Sequence, residues 1–478
     1  MLFRMLYDDK LAQASYLIGC QRTGEALIID PERDVERYIK AVAQEGMRLT
    51  AITETHIHAD FLSGCRELAE ATGAKLYLSD EGDADWKYQW LHQKSGGGSY
   101  PHELLKHGSI FKVGNIQIQA LHTPGHTPEH MSFMVTDLGG GATEPMGIAT
   151  GDFVFVGDVG RPDLLETAAG QVGMKEKSAR TLFHSLQEFK KLPDYLQLWP
   201  GHGAGSACGK ALGAVPQSTV GYEKRFNASL AYATEEARFV EAILDGQSEP
   251  PFYFSRMKRD NKLGPALLGK FPAPHMLDAA GLGKLNGQEA TIVDTRPWSA
   301  FVKGHLKGAL HAPFNNAFPT ITGSYILPDS PIYLIIDSAR LTEAVTMLIR
   351  IGLDNVAGYA TPTTLAEYQA KGGALTTLEE IDAPELQRRL QNQDLFVLDV
   401  RAAFEYELGH LPNALNVAHT RIFDHLTELP KQKTILVHCQ TAARSRPAAA
   451  ILARHGHRVV HLAQGYRSWV QAGGETAA

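Results

Sequence analysis

From residue 1 to about 245 the chain reads as short apolar strands joined by Gly-rich connections, as in Ser15-Tyr16-Leu17-Ile18-Gly19 and Ala26-Leu27-Ile28-Ile29-Asp30, with helical stretches such as Val35 to Glu45 between them. Arg48 to Thr53 is β-like, His56 to Asp60 follows as loop, and Leu62 to Thr72 is helix-like with Gly73 as its stop. Ile116 to Leu121 is a second strand, ending at Thr123-Pro124-Gly125-His126-Thr127-Pro128. Strands that place histidines on loops at one edge fit an αββα sandwich over 1–245. Residues 246–274 carry Pro250-Pro251, Gly264-Pro265, Pro272-Ala273-Pro274 and a basic patch at Arg256, Lys258, Arg259 and Lys262, and are expected to be a linker lying against a surface.

An internal repeat fills the second half. Ile292-Val293-Asp294-Thr295-Arg296 and Gly304-His305-Leu306 recur as Val397-Leu398-Asp399-Val400-Arg401 and Gly409-His410-Leu411, offset by 105 residues. Two copies of one α/β domain are therefore expected, at 275–373 and 374–478. In each, an apolar strand (Ile332 to Ile336; Thr434 to His438) leads into a loop and a helix, the doubly wound pattern in which ligands sit at strand carboxyl ends. The expected whole is an α/β multidomain chain.

Composition narrows the class. A chain of 478 residues, 44% hydrophobic, can fill several cores. The net charge of −7 gives no case for nucleic acid or an acidic membrane surface, since both call for a concentrated basic face. Cys20, Cys65, Cys208 and Cys439 are too few and scattered for a disulfide framework. The N-terminus lacks the apolar core of a secretion signal, and no stretch approaches the ~18 apolar residues of a membrane span. The expected compartment is the cytoplasm, and a symmetric homo-oligomer is expected at this size.

Thr55-His56-Ile57-His58-Ala59-Asp60-Phe61 departs at one place from H-x-H-x-D-H, the metal motif of metallo-β-lactamase-fold enzymes, because Phe61 takes the sixth position. A phenyl ring cannot coordinate a metal. That position belongs to the second of two adjacent sites, so its loss argues for one metal. His56, His126 and Asp152 each sit just past an expected strand, and two histidines with one carboxylate form the facial triad associated with non-haem Fe(II). T-H-x-H-x-D, T-P-G-H-T, T-G-D and Trp199-Pro200-Gly201-His202-Gly203 follow in the order of that superfamily.

With Gly160-Arg161-Pro162-Asp163, these motifs resemble the persulfide dioxygenase branch, related to glyoxalase II, over roughly residues 1–245. The resemblance implies one Fe(II) per chain held by His56, His126 and Asp152, with zinc able to occupy the site in a recombinant sample. It leaves His58, Asp60 and His202 behind the ligands, to orient them or move protons. Arg161 resembles the family's contact to an acidic thiol such as glutathione. Cys208, six residues past His202, is expected near the site, where it can accept sulfur. His122, His130 and His184 are expected to be structural.

His438-Cys439-Gln440-Thr441-Ala442-Ala443-Arg444-Ser445 follows a strand and precedes a helix, where a nest of N–H groups, a helix N-terminus and a guanidinium favour thiolate. A thiol of pKa about 8.5 is only about 3% ionised at pH 7, whereas at about 7 half is nucleophilic. With D-V-R and G-H-L-P-N-A upstream, this loop resembles rhodanese. The related phosphatases have C-x5-R; the tighter C-x4-R loop suits a sulfane sulfur carried on Cys439, with Arg444 and Ser445 lining the cradle. The middle copy has Asp337 and no cysteine, and resembles an inactive rhodanese.

The resemblance as a whole implies oxidation of a low-molecular-weight thiol persulfide (of glutathione, coenzyme A or similar) by O2 to sulfite, and sulfur transfer through Cys439 to sulfite, giving thiosulfate. A glyoxalase II-like thioester hydrolase is the first alternative and predicts two zinc ions. A sulfur carrier or sensor with a non-catalytic metal domain is the second.

Overall fold

Alternation along the strands builds the first half of the chain as four layers. In the computed structural model, which describes all residues except 168–172, 286, 288, 392–394 and 478, two six-stranded sheets lie face to face. The first runs β1 (Leu2–Asp8), β2 (Gln13–Cys20), β3 (Glu25–Ile29), β4 (Arg48–Thr53), β5 (Lys75–Ser79) and β6 (His102–Leu105) in sequential order. The second contains β7 (Ile110–Val113), β8 (Ile116–His122), β9 (Met131–Asp137), β10 (Gly147–Gly151), β11 (Gln197–Pro200) and β12 (Ser218–Thr219), again in sequential order.

Successive residues of one strand serve different cores. Tyr16, Ile18, Leu27 and Ile29 pack between the sheets with Ile118, Phe133, Val135 and Trp199. Their neighbours Leu17, Ala26 and Ile28 face the other way, onto Tyr38, Val42, Cys65 and Leu68 of the helices Glu36–Gln44 and Cys65–Thr72. On the far sheet, Ile148 and Leu198 meet Leu182 and Leu186 of the helix Met174–Phe189. Strands buried on both faces read as continuous apolar runs for this reason, and each fully buried Leu or Ile contributes about 2 kcal/mol.

The chain divides into two compact units, Met1–Gly269 with Ile349–Gly352, and Lys270–Leu348 with Leu353–Ala478. Much of the segment expected to be a linker therefore belongs to the first unit. It holds the helix Phe254–Leu263, which buries Phe254, Met257 and Asn261. Its basic patch is spent locally, with Lys258 Nζ 4.0 Å from the centre of the Trp86 ring and Lys262 paired to Asp85 at 2.8 Å.

The second unit contains two five-stranded parallel sheets. With β13 (His275–Met276), β14 (Thr291–Asp294), β15 (Leu310–His311), β16 (Ile332–Ile335) and β17 (Val356–Ala360), the order is β13-β17-β16-β14-β15. With β18 (Glu379–Ile381), β19 (Leu395–Asp399), β20 (Leu415–Asn416), β21 (Thr434–His438) and β22 (Arg458–Leu462), it is β18-β22-β21-β19-β20, the same permutation. The repeated Asp-x-Arg holds each copy together. Arg401 pairs with Asp399 at 2.6 Å and donates to the Gly409 carbonyl at 2.7 Å, as Arg296 does to Asp294 and Gly304 at 2.6 and 2.8 Å. Removing one partner of such a buried pair costs about 3–5 kcal/mol. Among the described residues, no helix is long and apolar enough to cross a membrane.

Candidate metal centre and cysteine loop

The loop after β4 is pinned before its histidines are placed. Asp30 accepts the Thr55 N–H at 2.6 Å and the Thr55 hydroxyl at 3.0 Å, and it lies 3.1 Å from His58 Nε2. Having donated to Asp30, the Thr55 oxygen accepts from His56 Nδ1 at 2.9 Å, which leaves the His56 Nε2 lone pair free. His126, in the turn between β8 and β9, donates Nδ1–H to the Arg161 carbonyl at 3.0 Å and so also presents Nε2. Asp152 follows β10; its Oδ1 is 2.7 Å from His202 Nδ1. Gly201 is required beside it, since a Cβ there would stand 2.7 Å from that oxygen.

The free atoms converge. Asp152 Oδ2 is 3.9 Å from His56 Nε2 and 3.5 Å from His126 Nε2, and the three ligand atoms lie within 4.8 Å of one another. Donors about 2.1 Å from a shared ion at right angles stand roughly 3 Å apart, so slight closure would seat one. His56 Nε2 and Asp152 Oδ2 are buried with no hydrogen-bond partner. Burial, reinforced by the neighbouring imidazoles, holds His56 well below the ordinary histidine pKa, and burial also lowers His126, so both are neutral ligands. Burial acts to raise Asp152, but His202 outweighs it and keeps the carboxylate ionised.

His202 is fixed on both sides, with Nε2 2.8 Å from Asp60 Oδ2. Burial opposes its protonation, yet Asp152 and Asp60 raise its pKa well above the ordinary value. Asp60, His202 and Cys208 form a second cluster of ligand-type atoms within 4.8 Å. Both His202 nitrogens are already committed to carboxylates, so that cluster is closed as an ion pair. Phe61 is fully buried with its ring centre 4.3 Å from that of His58.

The cysteine loop joins β21 to the helix Ser445–Arg454 at the carboxyl edge of the strand neighbouring β19, where the strand order reverses. Ala442 takes φ +77°, a left-handed turn that bends the loop back on itself. The next helix, Gly465–Gln471, fixes the loop from behind: Tyr466 N–H donates to the Cys439 carbonyl at 2.7 Å and Arg467 N–H to Gln440 at 3.1 Å. Gly465, at φ +67°, permits this approach, since a Cβ would come within 2.3 Å of the Cys439 oxygen. Cys439 is buried, and Arg444 pairs with Glu405 at 2.7 Å.

The metallo-beta-lactamase superfamily profile matches residues 8–202. The crystal structure of a metallo-beta-lactamase from Staphylococcus aureus subsp. aureus COL is 41% identical, with a TM-score of 0.68, and the match covers 76% of this chain and 99% of that one. The chain belongs to the metallo-beta-lactamase superfamily. The superfamily domain is followed by two rhodanese-like domains, matched over 279–361 and 382–472. A beta-lactamase hydrolase-like protein of Xylella fastidiosa is 28–29% identical in its strains, at 29% over 49% of this chain in strain 9a5c; the chain spans 53%, about half, of that relative's length. The mitochondrial persulfide dioxygenase ETHE1 of Bos taurus is 25% identical over 49% of this chain and 78% of its own.

The superfamily fold implies a metal, and the unpartnered buried atoms at His56 and Asp152 fit one. The structure brings His56, His126 and Asp152 together, sets His58, Asp60 and His202 beside them, and places Cys208 next to Asp60 and His202. Burial, with Asp60 and Asp152, pushes the Cys208 thiol well up, which opposes its acting as a sulfur nucleophile. Arg161 has its side chain buried and bonded by Asp163 at 2.6 and 2.9 Å and by the Ala207 and Ser248 carbonyls at 3.2 and 2.8 Å, so it braces the loops around the site. His130 braces too, bonding Thr123 Oγ1 at 2.8 Å and the Asp152 N–H at 3.1 Å, while His184 is exposed on its helix. Sequence reasoning missed Asn261, which holds the metal loop from the former linker, and His461, which contacts Ser445; neither stands in a recognisable motif.

Proposed function

We propose that this protein is an enzyme of sulfur metabolism that oxidises low-molecular-weight thiol persulfides to sulfite at one Fe(II), and passes sulfane sulfur through Cys439 to sulfite, giving thiosulfate. The carrying observation is the site of His56, His126 and Asp152, two imidazoles and one carboxylate, with Phe61 where a second metal's histidine would stand. Iron, when bound, would supply redox chemistry with O2 at its open positions. His56, His126 and Asp152 would hold it on one face. Asp30 and Thr55 orient His56, the Arg161 carbonyl orients His126, and His202 leaves one Asp152 oxygen for the metal. The overall oxidation balances as RSSH + O2 + H2O giving RSH, sulfite and two protons.

In the second half, the Cys439 thiolate attacks the outer sulfur of RSSH, the S–S bond breaks, and RSH leaves. Sulfite then attacks that sulfur on Cys439, releasing thiosulfate and restoring the thiolate. The similarity to the bovine persulfide dioxygenase, at 25% identity, and the rhodanese-like domains support this reading. A thioester hydrolase with two zinc ions is the second reading, favoured by the similarity to a hydroxyacylglutathione hydrolase of Polaromonas sp., 30% identical over 39% of this chain.

Oxygen uptake by anaerobically prepared, Fe(II)-loaded protein on adding glutathione persulfide tests the proposal, with metal counted on the same sample. Uptake at about one iron per chain is expected. Cys439→Ser should then accumulate sulfite where the parent protein makes thiosulfate. Absence of uptake with glutathione or coenzyme A persulfide, alongside two zinc ions per chain, points to the hydrolase.

A further inference from the structure

Behind the cysteine loop, a run of hydrogen bonds, buried at Ser445 and His461 and reaching the surface at Glu380, passes from one repeat of the second unit to the other. Ser445 Oγ is 2.9 Å from His461 Nε2, His461 Nδ1 is 2.8 Å from Glu380 Oε2, and Trp298 Nε1 is 2.6 Å from the same oxygen. Ser445 and His461 are fully buried. Trp298 comes from the repeat without a cysteine, and its ring centre lies 5.0 Å from that of His461.

The two ends fix the protons. An indole N–H can only donate. Hydrogen bonding from His461, and then from Trp298, holds the Glu380 carboxyl below the usual range, so it is an ionised acceptor. His461 Nδ1 therefore carries a proton. Burial lowers the imidazole pKa and keeps it neutral, which makes Nε2 an acceptor and Ser445 its donor. The Ser445 hydroxyl, expected in the cradle, thus turns to His461 at 2.9 Å, with the Ala442 carbonyl at 3.3 Å, and the side chain beside the Cys439 sulfur is that of Arg444. A second tie comes from the same repeat. Tyr325 is buried and donates to the His419 carbonyl at 2.9 Å.

We propose that the repeat without a cysteine completes the transferase site, with Trp298, Glu380 and His461 as positioning residues that hold Ser445 and the first turn of the helix closing the Cys439 cradle. The inference rests on the reading of Cys439 as the sulfur carrier. It gives the cysteine-less copy a task in its neighbour's chemistry. A cradle of N–H groups is effective only in register, and displacement by about 1 Å can cost on the order of a hundredfold in rate.

The test is sulfur transfer from thiosulfate to cyanide by the full-length protein. Cys439 takes the outer sulfur with release of sulfite, then yields it to cyanide as thiocyanate. His461→Gln keeps an acceptor for Ser445 and a donor for Glu380, whereas His461→Phe keeps only a ring. We expect kcat to fall about tenfold or more in His461→Phe, to stay within about threefold in His461→Gln, and to fall about threefold to tenfold in Trp298→Phe, with KM for thiosulfate nearly unchanged. A purely packing role would favour Phe over Gln at this position. Parental kcat in His461→Phe, or equal loss in both His461 variants, overturns the proposal. If His461→Phe does not fold, Trp298→Phe decides, and parental kcat there overturns it. Full activity in Cys439→Ser would instead show that the sulfur-carrier reading itself has failed.

Discussion

Glu129 lies three residues beyond His126 and accepts the Ile57 N–H at 2.7 Å, tying the two metal-bearing turns together. It is fully buried, and burial pushes its pKa up to about 7. A carboxyl raised in the folded state contributes stability that is complete below its unfolded pKa of about 4.3 and is lost as pH rises through the folded value. The first unit should therefore lose about 2–3 kcal/mol between pH 5 and pH 8 from this group alone. Glu129→Gln keeps an oxygen for Ile57 and removes the ionisation. Calorimetry of the first unit's transition at the two pH values should show a flatter dependence in the variant, which should be the more stable protein at pH 8. Equal slopes would mean that Glu129 is ionised at little cost in the folded protein. At the same scale lies Arg161, whose role was hidden in the sequence because the carbonyls it meets, Ala207 and Ser248, are 46 and 87 residues away.

Among the elements, the helix Phe254–Leu263 has the greatest unforeseen consequence. Asn261 Nδ2 donates to the carbonyls of His58 and Phe61, both at 2.8 Å, and its Oδ1 accepts the Ser63 N–H at 2.8 Å. One side chain thereby fixes the loop that carries His56, His58 and Asp60. Asn261→Leu is close in volume but strands three buried main-chain groups, each costing about 1–3 kcal/mol and together less than their sum. A lower first-unit Tm and weaker metal retention against a chelator are expected; retention at the parental level would limit Asn261 to stability. The sequence hid this helix. Pro250-Pro251 and Gly264-Pro265, read as linker punctuation, bound it on either side. Its buried face, Phe254, Met257 and Asn261, has helical spacing, yet it ends in a polar residue and is interrupted by Arg256, Lys258 and Arg259. Strands such as Gln13–Cys20 were legible because each face meets a core, and the metal histidines because they sit directly past strands.

At the scale of the whole chain, the repeat spacing anticipated two copies of one fold, and both sheets share a strand order. The ties between the copies, Trp298 to Glu380 and Tyr325 to His419, were illegible because each spans about 80 residues or more and none alters a local pattern. Net charge is the other whole-chain property. At −7, the protein's long-range field would repel the persulfide, sulfite and thiosulfate anions of the proposed reaction, so on that proposal their capture would depend on local donors. Repulsion of a dianion by this charge is roughly 1 kcal/mol at 10 mM salt and roughly half that at 150 mM, where the screening length shortens from about 30 to about 8 Å. Raising salt should accordingly increase kcat/KM for thiosulfate, by about two- to threefold, with kcat little changed because the bound anion sits against fixed donors. A fall in kcat/KM over the same range, measured with a salt whose anion does not inhibit at saturating thiosulfate, would show that a local cationic field around Arg444 governs capture and outweighs the charge of the chain as a whole.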